Sequence, residues 1–216
     1  MSLRVMMFLG STRTAGPPRP VRVGDRVAKF LKGQVERRGH EVVCVVDPVK
    51  FPLLEKPHFA YAKRDCPAFL ESIAKDIERS DAYVMITPEY NHTASPGLMN
   101  TLNHFGSSLF SFKPSAIVSY SQGQWGGVRA AHALRAPLSE LGCLPVSSMI
   151  HIPKAHQELN ADGVPCENEG RWGKYVDRTV AQLEWWGNAA KIHRKILNPF
   201  DTSKIFQSDP SQRNAP

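Results

Sequence analysis

The sequence predicts a three-layer α/β protein: five parallel strands in the order 2-1-3-4-5, with helices on both faces. Three observations carry this. Short apolar runs alternate with stretches of helical period along most of the chain. The runs are rich in Val, Ile and Met, as strands buried on both faces should be. Polar loops rich in Gly or Pro follow the first, third and fourth runs, which this order makes neighbours at the switch point.

The elements follow in order. Leu3 to Leu9 is the first, central strand, ending at Gly10. Gly10 to Pro20 holds three prolines and two glycines and is neither helix nor strand. From Val21 to Arg38, the positions Val23, Val27, Phe30, Leu31 and Val35 recur at helical spacing, and Gly39 stops the helix. Glu41 to Asp47 is a β-branched second strand. Pro48 to Pro67 has no clear period and is expected as a surface excursion. Ala68 to Arg79 is a second helix with Phe69, Ile73 and Ile77 on its apolar face.

Ala82 to Ile86 is the third strand, followed by a loop from Thr87 to Ser95. Ser95 and Pro96 mark the next helix start, because Ser caps well and Pro suits the first helical position. That helix carries Leu98, Leu102 and Phe105. Ser115 to Tyr120 is the fourth strand, and Ser121 to Gly127 its glycine-rich loop. Val128 to Leu141 is helical. Cys143 to Val146 and Met149 to Ile152 form a fifth strand, interrupted near Pro145, as an edge strand allows. Ala155 to Gly170 is polar and turn-rich. A last amphipathic helix runs from about Trp172 to Ile196. The expected division is one domain over residues 1–197, with 198–216 as a C-terminal arm or disordered tail.

Bulk properties narrow the function. The chain has 216 residues, enough for one domain with a full core. Its net charge is +7, but no like-charge run is long enough for a nucleic-acid stripe. A basic site for an anionic small ligand accounts for part of the excess. Cys44, Cys66, Cys143 and Cys166 are scattered, with no metal spacing, so a reducing compartment is expected. No run approaches a membrane span, and Val5 to Leu9 is too short for a signal peptide's apolar core. A cytoplasmic protein is expected.

The three loops are the candidate site. In the first, backbone amides, Ser11 and a helix N-terminus could cradle a phosphate. Arg13, Arg19 and Arg22 are its candidate cations, and the sequence leaves the choice open. The loop matches neither G-x-G-x-x-G nor the P-loop pattern. The second loop offers backbone donors, Tyr90 and Asn91, which suit a planar heterocycle. The third lets backbone approach a flat ligand through its glycines. Each alone could be an ordinary connector; their shared rim argues for function. His92 and His104 have no partner at catalytic spacing, no G-x-S-x-G elbow occurs, and His151 and His156 are weak metal candidates.

Three pieces carry a resemblance: Gly10-Ser11-Thr12-Arg13; Thr87-Pro88-Glu89-Tyr90-Asn91 with Pro96 and Asn100; and Ser121-x-Gly123-x-x-Gly126-Gly127. Over Leu3 to His151 the chain resembles the flavodoxin-like NAD(P)H-dependent FMN reductases, which include quinone and azo reductases. The chain departs in the insertion Thr14 to Pro20 and in Met99, where a lysine is common. The resemblance implies a flavodoxin-like fold, with the FMN phosphate in the first loop. The isoalloxazine would meet the second loop and border the third. The implied cofactor contacts are Ser11, Arg13, Arg22, Val23, Pro88, Glu89, Tyr90, Asn91, Ser121 and Gly123.

The implied activity is hydride transfer from NAD(P)H, through bound flavin, to a quinone, azo compound or similar small acceptor in a ping-pong cycle. No catalytic side chain or metal is expected. A homodimer or homotetramer is expected, with no nucleic-acid or membrane partner. The rivals are a non-enzymatic flavin electron carrier or redox-responsive module, and a partner that releases reduced FMN to a monooxygenase.

Overall fold

A computed structural model describes residues 1–14, 22–202 and 204. Its strands are β1 (Arg4–Leu9), β2 (Glu41–Val46), β3 (Ala82–Tyr90), β4 (Thr93–Ala94), β5 (Lys113–Tyr120), β6 (Cys143–Pro145) and β7 (Ile150–Ile152). Its helices are α1 (Val23–Arg37), α2 (Ala68–Arg79), α3 (Pro96–Asn103), α4 (Ser107–Phe110), α5 (Val128–Glu140), α6 (Ala155–Glu158) and α7 (Glu169–Ile196).

The sheet runs β2-β1-β3-β5-β6, with β7 also pairing β5 and β4 pairing β3. The five expected positions and their order are present. The count rises to seven because the fifth strand is split into β6 and β7, and because β3 folds back on β4. All pairings but β3 with β4 are parallel.

The period of two is visible in the core. Val5, Met7 and Leu9 enter one apolar cluster with Val27, Leu31, Val176, Val180 and Leu183, under α1 and α7. Met6 and Phe8 enter the other with Leu70, Ile77, Leu98, Leu102 and Leu134, under α2, α3 and α5. Successive side chains of a strand point to opposite faces, so one central strand feeds both cores.

Several expectations need correction. β3 continues through Pro88 to Tyr90 instead of ending at Ile86. Pro88 is tolerated there because β1 ends opposite Ile86, leaving that side of β3 without a ladder partner. α2 buries Leu70, Ala74 and Ile77, whereas Phe69 is exposed and packs its ring on Phe51 of the excursion at 5.6 Å. The stretch read as purely turn-rich holds α6, and α7 starts at Glu169. Of the C-terminal arm, Pro199–Thr202 forms a 3-10 turn with Phe200 against Phe112; most of the remainder lies outside the described residues.

The N-terminal end of the sheet carries buried charge. Asp81 accepts from the Arg4 backbone N–H at 2.9 Å and pairs with Lys191 at 2.8 Å and Arg194 at 3.5 Å. Lys113 donates to the carbonyls of Ile77, Glu78 and Leu109 and to the Tyr83 hydroxyl. Burial pulls its ammonium down to about 7.

Candidate functional site

At the opposite, C-terminal rim the loops are clamped together by Ser95. Its hydroxyl donates to the Gly10 carbonyl at 2.8 Å and caps α3 by accepting from the Leu98 N–H. Its own N–H donates to Thr87 Oγ1 at 3.0 Å. A Cβ on Gly10 would stand 2.6 Å from Ser95 Oγ and 2.8 Å from the Ile86 carbonyl oxygen, so the first and second loops can approach this closely only over a glycine.

After β3, Asn91 and His92 both take left-handed backbone (φ 50° and 63°), and Tyr90 pairs with Thr93. This is a two-residue hairpin whose twist matches its strands. The expected second loop is therefore a short β-arm standing on the rim, not an irregular connector.

Glu89 reaches across to α5. Its Oε2 accepts from the Arg129 N–H at 3.1 Å and the Ala130 N–H at 3.4 Å, and Oε1 meets the Arg129 guanidinium at 3.4 Å. The residue before that helix, Gly127, supplies no side-chain cap. A carboxylate at a helix N-terminus meets both orphan N–H groups and the positive end of the dipole. The third loop is braced from below: Ser121 N–H donates to the Ile152 carbonyl, Ala155 N–H to that of Ser121, and Lys154 N–H to that of Gly123.

Between these pieces lies a cleft of about 210 Å³. Ser11, Arg13, Arg22, Val23, Pro88, Glu89, Tyr90 and Ser121 line it, as do Gly24, Tyr120 and Gln122. Asn91 and Gly123 stand outside the lining. Arg19 falls among the residues outside those described. Arg22 is engaged with the protein itself. Its guanidinium pairs with Asp47 at 2.6 and 2.8 Å and also donates to the Ser11 carbonyl. That hydrogen bond holds the Asp47 carboxyl below its usual range. Of the three candidate cations, Arg22 is thus a strut of the cleft wall, and Arg13 also lines the cleft.

Two features of the cleft suit a bound ligand. The Tyr120 hydroxyl is buried in its floor, with Ser11 as its polar neighbour. Burial pushes its phenol well above its usual range, so it is a neutral donor. The N-terminus of α1, at Val23 and Gly24, has no side-chain cap. A Cβ on Gly24 would meet Tyr120 Oη at 2.6 Å and Ser11 Cβ at 3.0 Å. Sequence reading passed over Tyr120 as a strand residue; its signal was a tyrosine closing a strand directly before a glycine-rich loop.

His104 is buried against the Pro52 carbonyl, and His151 Nδ1 lies 2.8 Å from the buried Ser119 hydroxyl, which also donates to the Gly126 carbonyl. Both histidines are tied to the frame.

A parallel sheet of this order, with a polar cleft at its switch point and an uncapped helix N-terminus opening onto it, defines a flavodoxin-like α/β protein with a site for a phosphorylated ring. The profile of the NADPH-dependent FMN reductases matches residues 3–157, and the chain belongs to that family. It is accordingly an oxidoreductase of the flavin class.

A quinone reductase of Escherichia coli is 36% identical over 136 residues, 62% of this chain and 68% of the relative. An NADPH azoreductase of a Bacillus species is 26% identical over 153 residues, 69% of this chain and 82% of the relative. A Pseudomonas putida quinone reductase is 43% identical over 67 residues, and that match spans only 36% of its length. Among solved structures, the flavoenzyme NAD(P)H:(acceptor) oxidoreductase of Paracoccus denitrificans superposes with a TM-score of 0.63 at 22% identity, over 84% of this chain and 97% of that one.

The residues present fit FMN. Ser11, Arg13 and the α1 amides suit its phosphate, the buried, neutral Tyr120 hydroxyl beside Ser11 suits an oxygen acceptor, and the Pro88–Tyr90 arm offers a flat, half-exposed wall.

Proposed function

We propose that this protein is an FMN-dependent oxidoreductase that takes hydride from NAD(P)H and delivers it to a quinone, an azo compound or a similar small acceptor. The single observation that carries this is convergence: Ser11 and Arg13 after β1, Pro88 to Tyr90 at the end of β3, and Tyr120 and Ser121 at the end of β5 line one cleft. When bound, FMN supplies hydride uptake and release. The protein's part is positioning. The α1 N-terminus, Ser11 and Arg13 hold the phosphate; Arg22 and Asp47 keep that wall rigid. Backbone along Pro88 to Tyr90 and at Ser121 orients the ring, as donors fixed in advance. Glu89 holds α5 and the third loop at their working distance. Tyr90 and Trp125, 37% and 61% exposed, leave the outer face open for donor and acceptor in turn.

Residues 1–197 act as one reductase domain in the cytoplasm, with 198–216 as its arm. Exposed Trp185 and Trp186 on α7 favour assembly as a homodimer or homotetramer, which light scattering of the purified protein tests.

The deciding experiment is purification. A yellow protein whose flavin absorbance bleaches with NADPH under anaerobic conditions, and which then reduces menadione catalytically, is expected. A colourless protein that cannot be loaded with FMN overturns the reading. Stoichiometric but non-catalytic bleaching would instead favour an electron carrier.

A further inference from the structure

Beyond Asp47, which braces Arg22, the excursion between β2 and α2 lines no part of the cleft, yet it brings three metal-binding side chains together. His58 Nε2 lies 2.9 Å from Glu71 Oε2, and these two atoms and Cys66 Sγ all fall within 4.8 Å of one another. All three residues are only partly buried, so an ion can reach them.

The backbone holds this triad without any ion. The His58 N–H donates to the His104 carbonyl at 2.7 Å, just past the end of α3. Cys66 precedes Pro67, the residue that opens α2, and the Glu71 N–H donates to the Pro67 carbonyl in the helix's first turn. Two chain segments, each fixed independently, thus aim an imidazole, a thiol and a carboxylate at one point. The His58–Glu71 pair accounts for two of these groups. The sulfur at the third corner donates weakly to the Pro67 carbonyl at 3.8 Å, a contact that a metal bond would replace.

We propose that His58, Cys66 and Glu71 form a zinc site that staples the excursion to α2. The donor set is one nitrogen, one sulfur and one oxygen, which selects zinc over magnesium or calcium. Around a tetrahedral zinc with bonds of about 2.0–2.3 Å, ligand atoms stand roughly 3.3–3.8 Å apart. The His58–Glu71 contact must open slightly and the sulfur must close in, both within reach of side-chain rotation. On binding, the Cys66 thiol loses its proton to solvent as the Zn–S bond forms. Water completes the fourth position.

The segment has need of such a tie. From Asp47 to Pro67 it contains only the 3-10 turns Pro48–Lys50 and His58–Ala60, and it exposes Leu53 (83%) and Phe59 (58%). Asn100 on α3 also anchors it: Asn100 Oδ1 accepts from the Leu54 N–H and Asn100 Nδ2 donates to the Pro52 carbonyl, and Phe51 packs on Phe69 of α2. The triad sits toward the C-terminal end of α3, while Ser95 at that helix's other end serves the cleft. Zinc binding should therefore leave flavin binding alone.

The test uses the full-length protein with its flavin, dialysed against about 10 µM free zinc and then weighed for metal by mass spectrometry. One zinc per chain is expected for the native protein and for Cys166→Ser, which removes an exposed thiol elsewhere. Cys66→Ser and His58→Ala should each bind at least 10-fold more weakly, with flavin content unchanged. Zinc 100-fold above its Kd should raise the native Tm by about 5 °C or more, and hydrogen exchange in residues 48–67 should slow. Cobalt should add a thiolate-to-metal band to the native difference spectrum. No bound zinc, equal binding by Cys66→Ser, or a cobalt spectrum without the thiolate band overturns the proposal. The cobalt spectrum needs only the native chain, so it decides even if a variant fails to fold.

Discussion

The two ends of the sheet are built on opposite rules. At the N-terminal end two buried charges are well partnered: Asp81 gathers a backbone N–H, Lys191 and Arg194, and Lys113 meets four oxygens. The C-terminal end faces a cleft: the buried Tyr120 hydroxyl and Ser11 line it, and among the described residues α1 begins there with no side-chain cap. The N-terminal end holds the fold; the C-terminal end carries the proposed cofactor cleft. Substitutions at the two ends should therefore fail in different assays.

The largest effect is expected from Asp81→Ala. It strands the Arg4 N–H and two half-shielded cations, which should cost about 3 kcal/mol and lower Tm by roughly 6–12 °C. The FMN dissociation constant should not change; if it does, the two ends are not independent. Gly24→Val comes next. Its branched side chain would overpack the Tyr120 hydroxyl and Ser11, and FMN affinity should fall about 100-fold, measured by fluorescence quenching. Tyr120→Phe is gentler: loss of one donor should weaken FMN about 10-fold with Tm unchanged or raised. An unchanged affinity would mean that the Tyr120 hydroxyl faces no acceptor on the cofactor.

Glu89→Gln should cost about 1 kcal/mol of stability, because α5 loses its charged cap from outside the helix. The smallest effect is in pH. Arg22 depresses the Asp47 carboxyl in the folded state, so its contribution is complete above the unfolded value of about 3.9 and is lost as pH falls below it. Asp47→Asn should flatten the stability curve in that acid window and nowhere else, as urea titrations between pH 2.5 and 5 would show.

Local pattern made the strands and most helices legible. The run Val5 to Leu9 could be read directly, since buried parallel strands need little but apolar residues, and Val42 to Val46 could be read from its β-branched residues although this edge strand is only half-buried. Alternation of elements predicts a parallel sheet but not its order; the order 2-1-3-4-5, which goes with the resemblance, is what makes the three loops neighbours. What was hidden depended on distant partners. Arg22 looks like a phosphate ligand until Asp47, 25 residues on, takes its guanidinium. Glu89 looks like a loop residue until α5, 40 residues on, takes its carboxylate. Pro88 mimics a strand terminator because only the shorter reach of β1 makes it tolerable. Phe69 looks like core because the sequence does not show that Phe51 returns to cover it.

The long last helix bears on where the chain can be cut. The family profile ends at residue 157, yet Val176, Val180 and Leu183 of α7 fill the same core as β1. Ser148, in the gap between β6 and β7, is held by Gln182 and Thr179 of that helix. Trimming to the profile's limit would uncover an apolar face and a broken outer strand, the surface that recruits neighbouring molecules into aggregates. A soluble truncation must keep the chain to at least the end of α7.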